Sequence, residues 1–157
     1  MKTLQISESK ARSLYKTGSN EIKELLLENF GKDFFSQSVM DRVKTYQDAC
    51  TELGESPIDE EALKKQGLNN NDIAYMKLTQ IVRALNEGWV AKVYDSEYRY
   101  YPWFSHNESP SAFSFCDSVY DYSSTYASGS SRLCFKSEKL SNYAGKQFLE
   151  LWREFIV

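Results

Sequence analysis

The chain of 157 residues is poor in the side chains that most often carry chemistry or covalent staples. It has one histidine, three cysteines, three prolines and seven glycines. A lone histidine, His106, rules out a site built from several imidazoles. The three cysteines, Cys50, Cys116 and Cys134, form no C-x-x-C pair, and an odd number at wide spacing is not a disulfide framework. They read as reduced, buried thiols in a reducing cytoplasm. No apolar run approaches the roughly 18 residues of a membrane span. The opening MKTLQISESKARSLYK has no apolar stretch of the kind that marks a secretory signal. The expectation is therefore a cytoplasmic protein with no membrane partner. Neither sign of charge dominates: 19 basic against 22 acidic residues leave a net charge of −3. That excludes an overall basic coat for duplex DNA, but not a local basic patch. The sequence holds no G-x-S-x-G, H-E-x-x-H or G-x-G-x-x-G. Gly145-Lys146 lacks the upstream glycine of a phosphate-binding loop. No catalytic residue, metal ligand or cofactor is assigned, and the sequence makes no positive case for an enzyme.

Aromatics are what the chain has in excess, at 15% of residues. They are unevenly spread. Residues 1–88 contain no tryptophan and only Tyr15, Tyr46 and Tyr75, whereas Trp89 to Tyr126 are dense in aromatic rings. This composition change divides a single domain, 1–157, into a first part, 1–88, and a second, 89–157.

The first part has helical periodicity. Ser7 can cap a helix running through Tyr15, and Ser19 a second with Glu21 in its first turn. Ile22, Leu25, Leu26 and Phe30 then recur at helical spacing until Gly31. Phe34 and Phe35 read as a buried connector. A third helix is expected from Asp41 to Leu53, closed by Gly54. A short helix follows Asp59, with Glu60–Lys64 and Glu61–Lys65 as i, i+4 pairs. After the candidate caps Asn69 to Asp72, the residues Ala74, Leu78, Ile81, Val82 and Leu85 form one apolar face, and Gly88 ends the helix.

The second part changes to period two. Trp89 to Tyr94 and Tyr98 to Trp103 read as two strands of a hairpin around Asp95-Ser96. Pro102 places the second at an edge or at its own end. Phe113 to Cys116 and Arg132 to Lys136 are further strand candidates. The serine- and tyrosine-rich segment 105–131 reads as a binding loop or as a meander plugged back into the core. Ser137 caps a final helix whose apolar face runs from Leu140 to Phe155, and Gly145 inside it implies close packing. The fold expected is α+β: a helical N-terminal half, a small antiparallel sheet of three to four strands, and a C-terminal helix packed on the sheet.

One face of that sheet is the candidate site. If Tyr98, Tyr100, Leu133 and Phe135 face the last helix, then Arg99, Tyr101, Trp103, Arg132 and Lys136 share the opposite side. Cations interleaved with aromatics suit single-stranded nucleic acid, because phosphates meet the cations and bases stack on the rings. The competing arrangement has the N-terminal helices covering this face. A second reading is a protein-interaction or assembly component that oligomerises through exposed aromatic surface. A pairing of His106 with Cys116 or Cys134, and of Asp117 with Asp121, can be formed on paper, but nothing in the spacing fixes either.

Three segments carry a resemblance: Asp41 to Cys50 (DRVKTYQDAC), Ile81 to Trp89 (IVRALNEGW) with Glu97 to Phe104 (EYRYYPWF), and Ser131 to Phe148 (SRLCFKSEKLSNYAGKQF). Over nearly its full length the chain resembles a group of uncharacterised proteins encoded by phages and prophages of gut Bacteroidetes. The resemblance implies a small protein of mobile-element origin, acting in the bacterial host cell in DNA transactions or virion assembly. It supplies no catalytic residues.

Overall fold

A computed structural model describes residues 5–92, 96–106, 112–122 and 132–157. The N-terminal part is helical, as its caps require. Helix α1 (Glu8–Thr17) starts at Ser7, whose hydroxyl accepts from the Lys10 amide. Helix α2 (Asn20–Phe30) ends at Gly31 with φ +78°, a conformation that favours glycine. Phe34 and Phe35 belong to a short helix, α3 (Lys32–Ser36). They pack with Phe30 and Tyr15 into an aromatic cluster, Tyr15 and Phe35 stacking at 4.1 Å. Ile22 and Leu25 of the expected α2 face remain exposed, and only Leu26 of that helix is buried.

The helix expected over Asp41–Leu53 is two helices, α4 (Val39–Arg42) and α5 (Tyr46–Leu53). The break has a local cause. Thr45 and Asp48 form a capping box, in which Thr45 Oγ1 accepts from the Asp48 amide and Asp48 accepts from the Thr45 amide at 2.8 Å. A cap substitution of this type changes stability by about 1 kcal/mol, enough to start a new helix at Tyr46. Asp59 caps α6 (Glu60–Lys65). Glu60 pairs with Lys77 across helices rather than with Lys64. Asn69 and Asp72 form a second capping box at the start of α7 (Asn70–Asn86). The whole expected face of α7 is buried: Ala74, Leu78, Ile81, Val82 and Leu85.

The sheet is smaller than expected. Among the described residues it has two antiparallel strands, β1 (Arg99–Ser105) and β2 (Ser114–Asp121), not three or four. Three features account for this. The described residues of the expected first strand, Trp89 to Lys92, are irregular; Val93 and Tyr94 lie outside the described residues. The strand expected over Phe113–Cys116 extends to Asp121 and becomes the partner of β1, with a register shift between Trp103 and Phe104 just after Pro102. The strand expected over Arg132–Lys136 contracts to a single bridge, in which Tyr100 and Phe135 exchange both backbone hydrogen bonds.

The C-terminal helix does pack on the sheet, but it too is divided. Helix α8 (Glu138–Gln147), capped by Ser137, lies on the hairpin, and α9 (Leu149–Ile156) lies against α7. Phe148 leaves helical geometry between them (φ −111°, ψ 30°). Gly145 permits the α8–sheet contact: a Cβ there would penetrate the Phe115 ring and stand 3.0 Å from Pro102 Cβ. One hydrophobic core joins the two parts, with Val43, Ala49, Leu78, Ile81 and Leu85 meeting Phe113, Leu133, Phe135, Ala144 and Trp152. Fully burying a ring such as Phe135 is worth about 1.5–3 kcal/mol. Among the described residues, no helix is long and apolar enough to cross a membrane.

Candidate functional site

The hairpin has two unlike faces, set by the alternation of side chains along a strand. Tyr100, Pro102 and Phe104 face the α8 side, where Ser118 bonds Ser141 at 2.6 Å and Asn142 at 2.8 Å. Arg99, Tyr101 and Trp103 share the other side, in the parity expected. Helix α8 is the principal helical neighbour of both strands.

The five predicted site residues nevertheless do not form one open cationic face. Arg99 is the largest fully buried side chain, 1% exposed, opposite Asp121 in the strand register. It lies with Tyr101 and Cys134 in a polar pocket of the interior. Burial pushes the Tyr101 phenol up to about 12 and the Cys134 thiol up to about 11, with the Arg99 guanidinium beside both acting in the opposite direction. A guanidinium held this way serves the fold and offers no charge to a phosphate in solvent. Tyr101 is half-buried, and of the three residues on β1 only Trp103, at 55% exposure, is open.

Lys136 belongs to a different structure. Its Nζ donates to the Asn86 carbonyl at 3.2 Å and pairs with Glu87 at 3.3 Å. Glu87 also accepts from Lys16 of α1 and from Arg42 of α4, at 3.2 and 3.0 Å. Arg42 in turn makes a two-pronged bond to Glu52. Glu87 caps α7 in the left-handed conformation with φ +49°, the only non-glycine residue with positive φ among those described. That turn aims its carboxylate at three cations from three parts of the chain. Burial alone would raise its pKa; the bonds from Arg42 and Lys16 and the charges of Lys16 and Lys136 overcome this and hold it at about 2. Arg132 is exposed and lines a groove beside Trp89 and α7.

What the sequence reading missed is a cluster of tyrosines at the open end of the hairpin. Tyr98 contacts Tyr120 at 5.1 Å and Tyr122 at 4.7 Å, and Tyr100 lies 6.3 Å from Tyr98 and 6.2 Å from Tyr120. Tyr98, Tyr120 and Tyr122 are exposed, Tyr120 at 62%. The signal was present as two i, i+2 tyrosine pairs, 98/100 and 120/122. Reading it required knowing that strand 114–121 pairs with 99–105. His106 is exposed at the end of β1. Cys50 and Cys134 are buried as expected, whereas Cys116 is exposed on β2. Among the described residues, no group of acidic, histidine and cysteine side chains could hold a metal ion. The arrangement is a ring-rich contact surface on a hairpin supported from one side by α8. No known family, curated protein or solved structure matches the chain.

Proposed function

We propose that this is a non-enzymatic binding protein of the phage type it resembles, acting in the bacterial host cell, which assembles with a second copy of itself through the tyrosine cluster of the hairpin. The observation that carries the reading is the joint exposure of Tyr98, Tyr120 and Tyr122 in mutual ring contact. Tyrosine supplies a large contact area at low conformational cost. Its hydroxyl both donates and accepts, so a tyrosine patch is chemically complementary to itself, as a two-fold interface requires. Light scattering across a concentration series tests this. The expected mass is twice 18.2 kDa for the native chain, and Tyr98→Ser/Tyr120→Ser gives a monomer that retains its fold. A native chain that stays monomeric into the tens of micromolar, or a dimer that survives the double substitution, defeats the proposal.

A second reading, binding of single-stranded nucleic acid, is favoured by the exposure of Trp103 with Tyr101 beside it on the same face. It is weakened by the loss of Arg99 to the interior and of Lys136 to Glu87. Of the predicted cations, Arg132 and Lys136 are exposed, Lys136 with its ammonium held by Glu87. Tryptophan emission titrated with a single-stranded oligonucleotide decides it. Quenching at low salt that fades at high salt and is lost in Trp103→Ala supports this reading, and no change at either salt removes it.

A further inference from the structure

The hydrogen bonds of the hairpin fix which backbone groups of β2 point outward. Tyr100 exchanges both backbone bonds with Phe135, at 3.1 and 2.9 Å, so its N–H and C=O point away from β2. Backbone direction alternates along an antiparallel strand. Arg99 and Tyr101 therefore bond toward β2. Ser118 and Tyr120, opposite Pro102 and Tyr100, turn their own N–H and C=O to the outer edge of the hairpin. That edge is open on both faces of the strand, with Val119 48% and Tyr120 62% exposed. Among the described residues, no main-chain group bonds Ser118 or Tyr120 from outside the hairpin. The Ser118 amide instead reaches the carboxylate of its own neighbour Asp117, at 2.8 Å, a side chain standing where an added strand would supply a carbonyl. The outer edge of β1 is different. Phe135 occupies it at Tyr100, and Pro102 has no N–H to offer there.

We propose that β2 pairs antiparallel with β2 of a second copy about a two-fold axis at Tyr120, joining two hairpins into one four-stranded sheet. This pairing rests on self-assembly through the tyrosine cluster and supplies its main-chain register. The side chains select the axis. Centring the pair on Val119 would set Asp117 opposite Asp121 twice, and centring it on Asp121 would set that residue opposite itself. Like charges directly opposite are destabilising. Centring it on Ser118 runs into the register shift beside Trp103. Centring it on Tyr120 avoids all three, because Tyr120 then meets its own copy, Val119 meets Asp121 and Ser118 meets Tyr122. The Tyr120 N–H and C=O of each chain bond those of the other, and the Tyr122 carbonyl of the second copy takes the Ser118 amide over from Asp117. Because Phe135 occupies the far edge of β1, the addition stops at two chains and builds no filament.

Amide hydrogen exchange of the full chain, followed by NMR at concentrations below and above dimer formation, tests the pairing, with light scattering on the same samples. The Tyr120 amide is expected to slow by about tenfold or more in the dimer, since it passes from solvent into a cross-strand bond. The Val119 amide, which already points at β1, is the internal reference. In dimers mixed from labelled and unlabelled chains, the Val119 Hα is expected to show an intermolecular contact with the Asp121 Hα, because antiparallel partners that exchange no hydrogen bonds stand about 4.5 Å apart at Cα. A dimer whose Tyr120 amide exchanges as fast as in the monomer, or in which the Val119–Asp121 contact is missing, overturns the strand pairing and leaves assembly through the rings standing. A chain that stays monomeric into the tens of micromolar overturns both.

Discussion

Replacing Glu87 by glutamine removes the charge that three cations share and keeps the side-chain shape. The carboxyl is held at about 2 against an ordinary 4.5. At about 1.36 kcal/mol per unit, the whole displacement corresponds to roughly 3 kcal/mol. The group is partly open to solvent, so screening reduces this to about 1–2 kcal/mol. A folded-state pKa below the unfolded one gives stability that is complete above about pH 4.5 and disappears as pH falls toward 2. Urea denaturation of the native chain and Glu87→Gln is therefore expected to differ by about 1–2 kcal/mol at pH 7, and the gap should close between pH 4.5 and 2. A native-minus-Gln gap that is constant with pH refutes the account of Glu87 as an electrostatic hub.

Two further outcomes follow from packing and exposure. Gly145→Ala places a methyl group against Phe115 and Pro102 and should cost about 1–3 kcal/mol, read as a lower melting temperature, despite the higher helix propensity of alanine. An unchanged or raised melting temperature would mean that α8 can move off the hairpin at no cost. A thiol-reactive dye should label Cys116 in the folded protein, while Cys50 and Cys134 react only on unfolding. Labelling of Cys134 in the native state would contradict its burial beside Arg99 and Tyr101.

The helical half was largely legible because its signals are local. Asn69 and Asp72 start α7, its apolar face follows at helical spacing, and both can be read within one window of sequence. The break between α4 and α5 was also written locally, in Thr45 and Asp48, but the apolar stripe from Val43 to Leu53 runs through it and conceals it. The second half was harder because strand pairing is non-local. Period two placed Arg99, Tyr101 and Trp103 on one side correctly, yet periodicity cannot state which side is covered. Nor could spacing reveal that Lys136 would be claimed by Glu87, some fifty positions earlier and in a left-handed turn that few glutamates adopt.

The division of the C-terminal segment at Phe148 has a consequence for motion. Helix α9 lies against α7 and α8 lies on the hairpin, but α8 is also fastened to the N-terminal part. Tyr143 Oη donates to the Val43 carbonyl and Gln147 Nε2 to the Lys44 carbonyl, each at 2.8 Å, and Ala144 sits in the common core. The hairpin is therefore coupled to the body through α8, and the division at Phe148 lets one segment serve both layers without separating them. In hydrogen exchange the core amides of α7 and α8 would then be released by the same opening, and a partner gripping the tyrosines at the hairpin's open end would slow amides in α8 that it never touches.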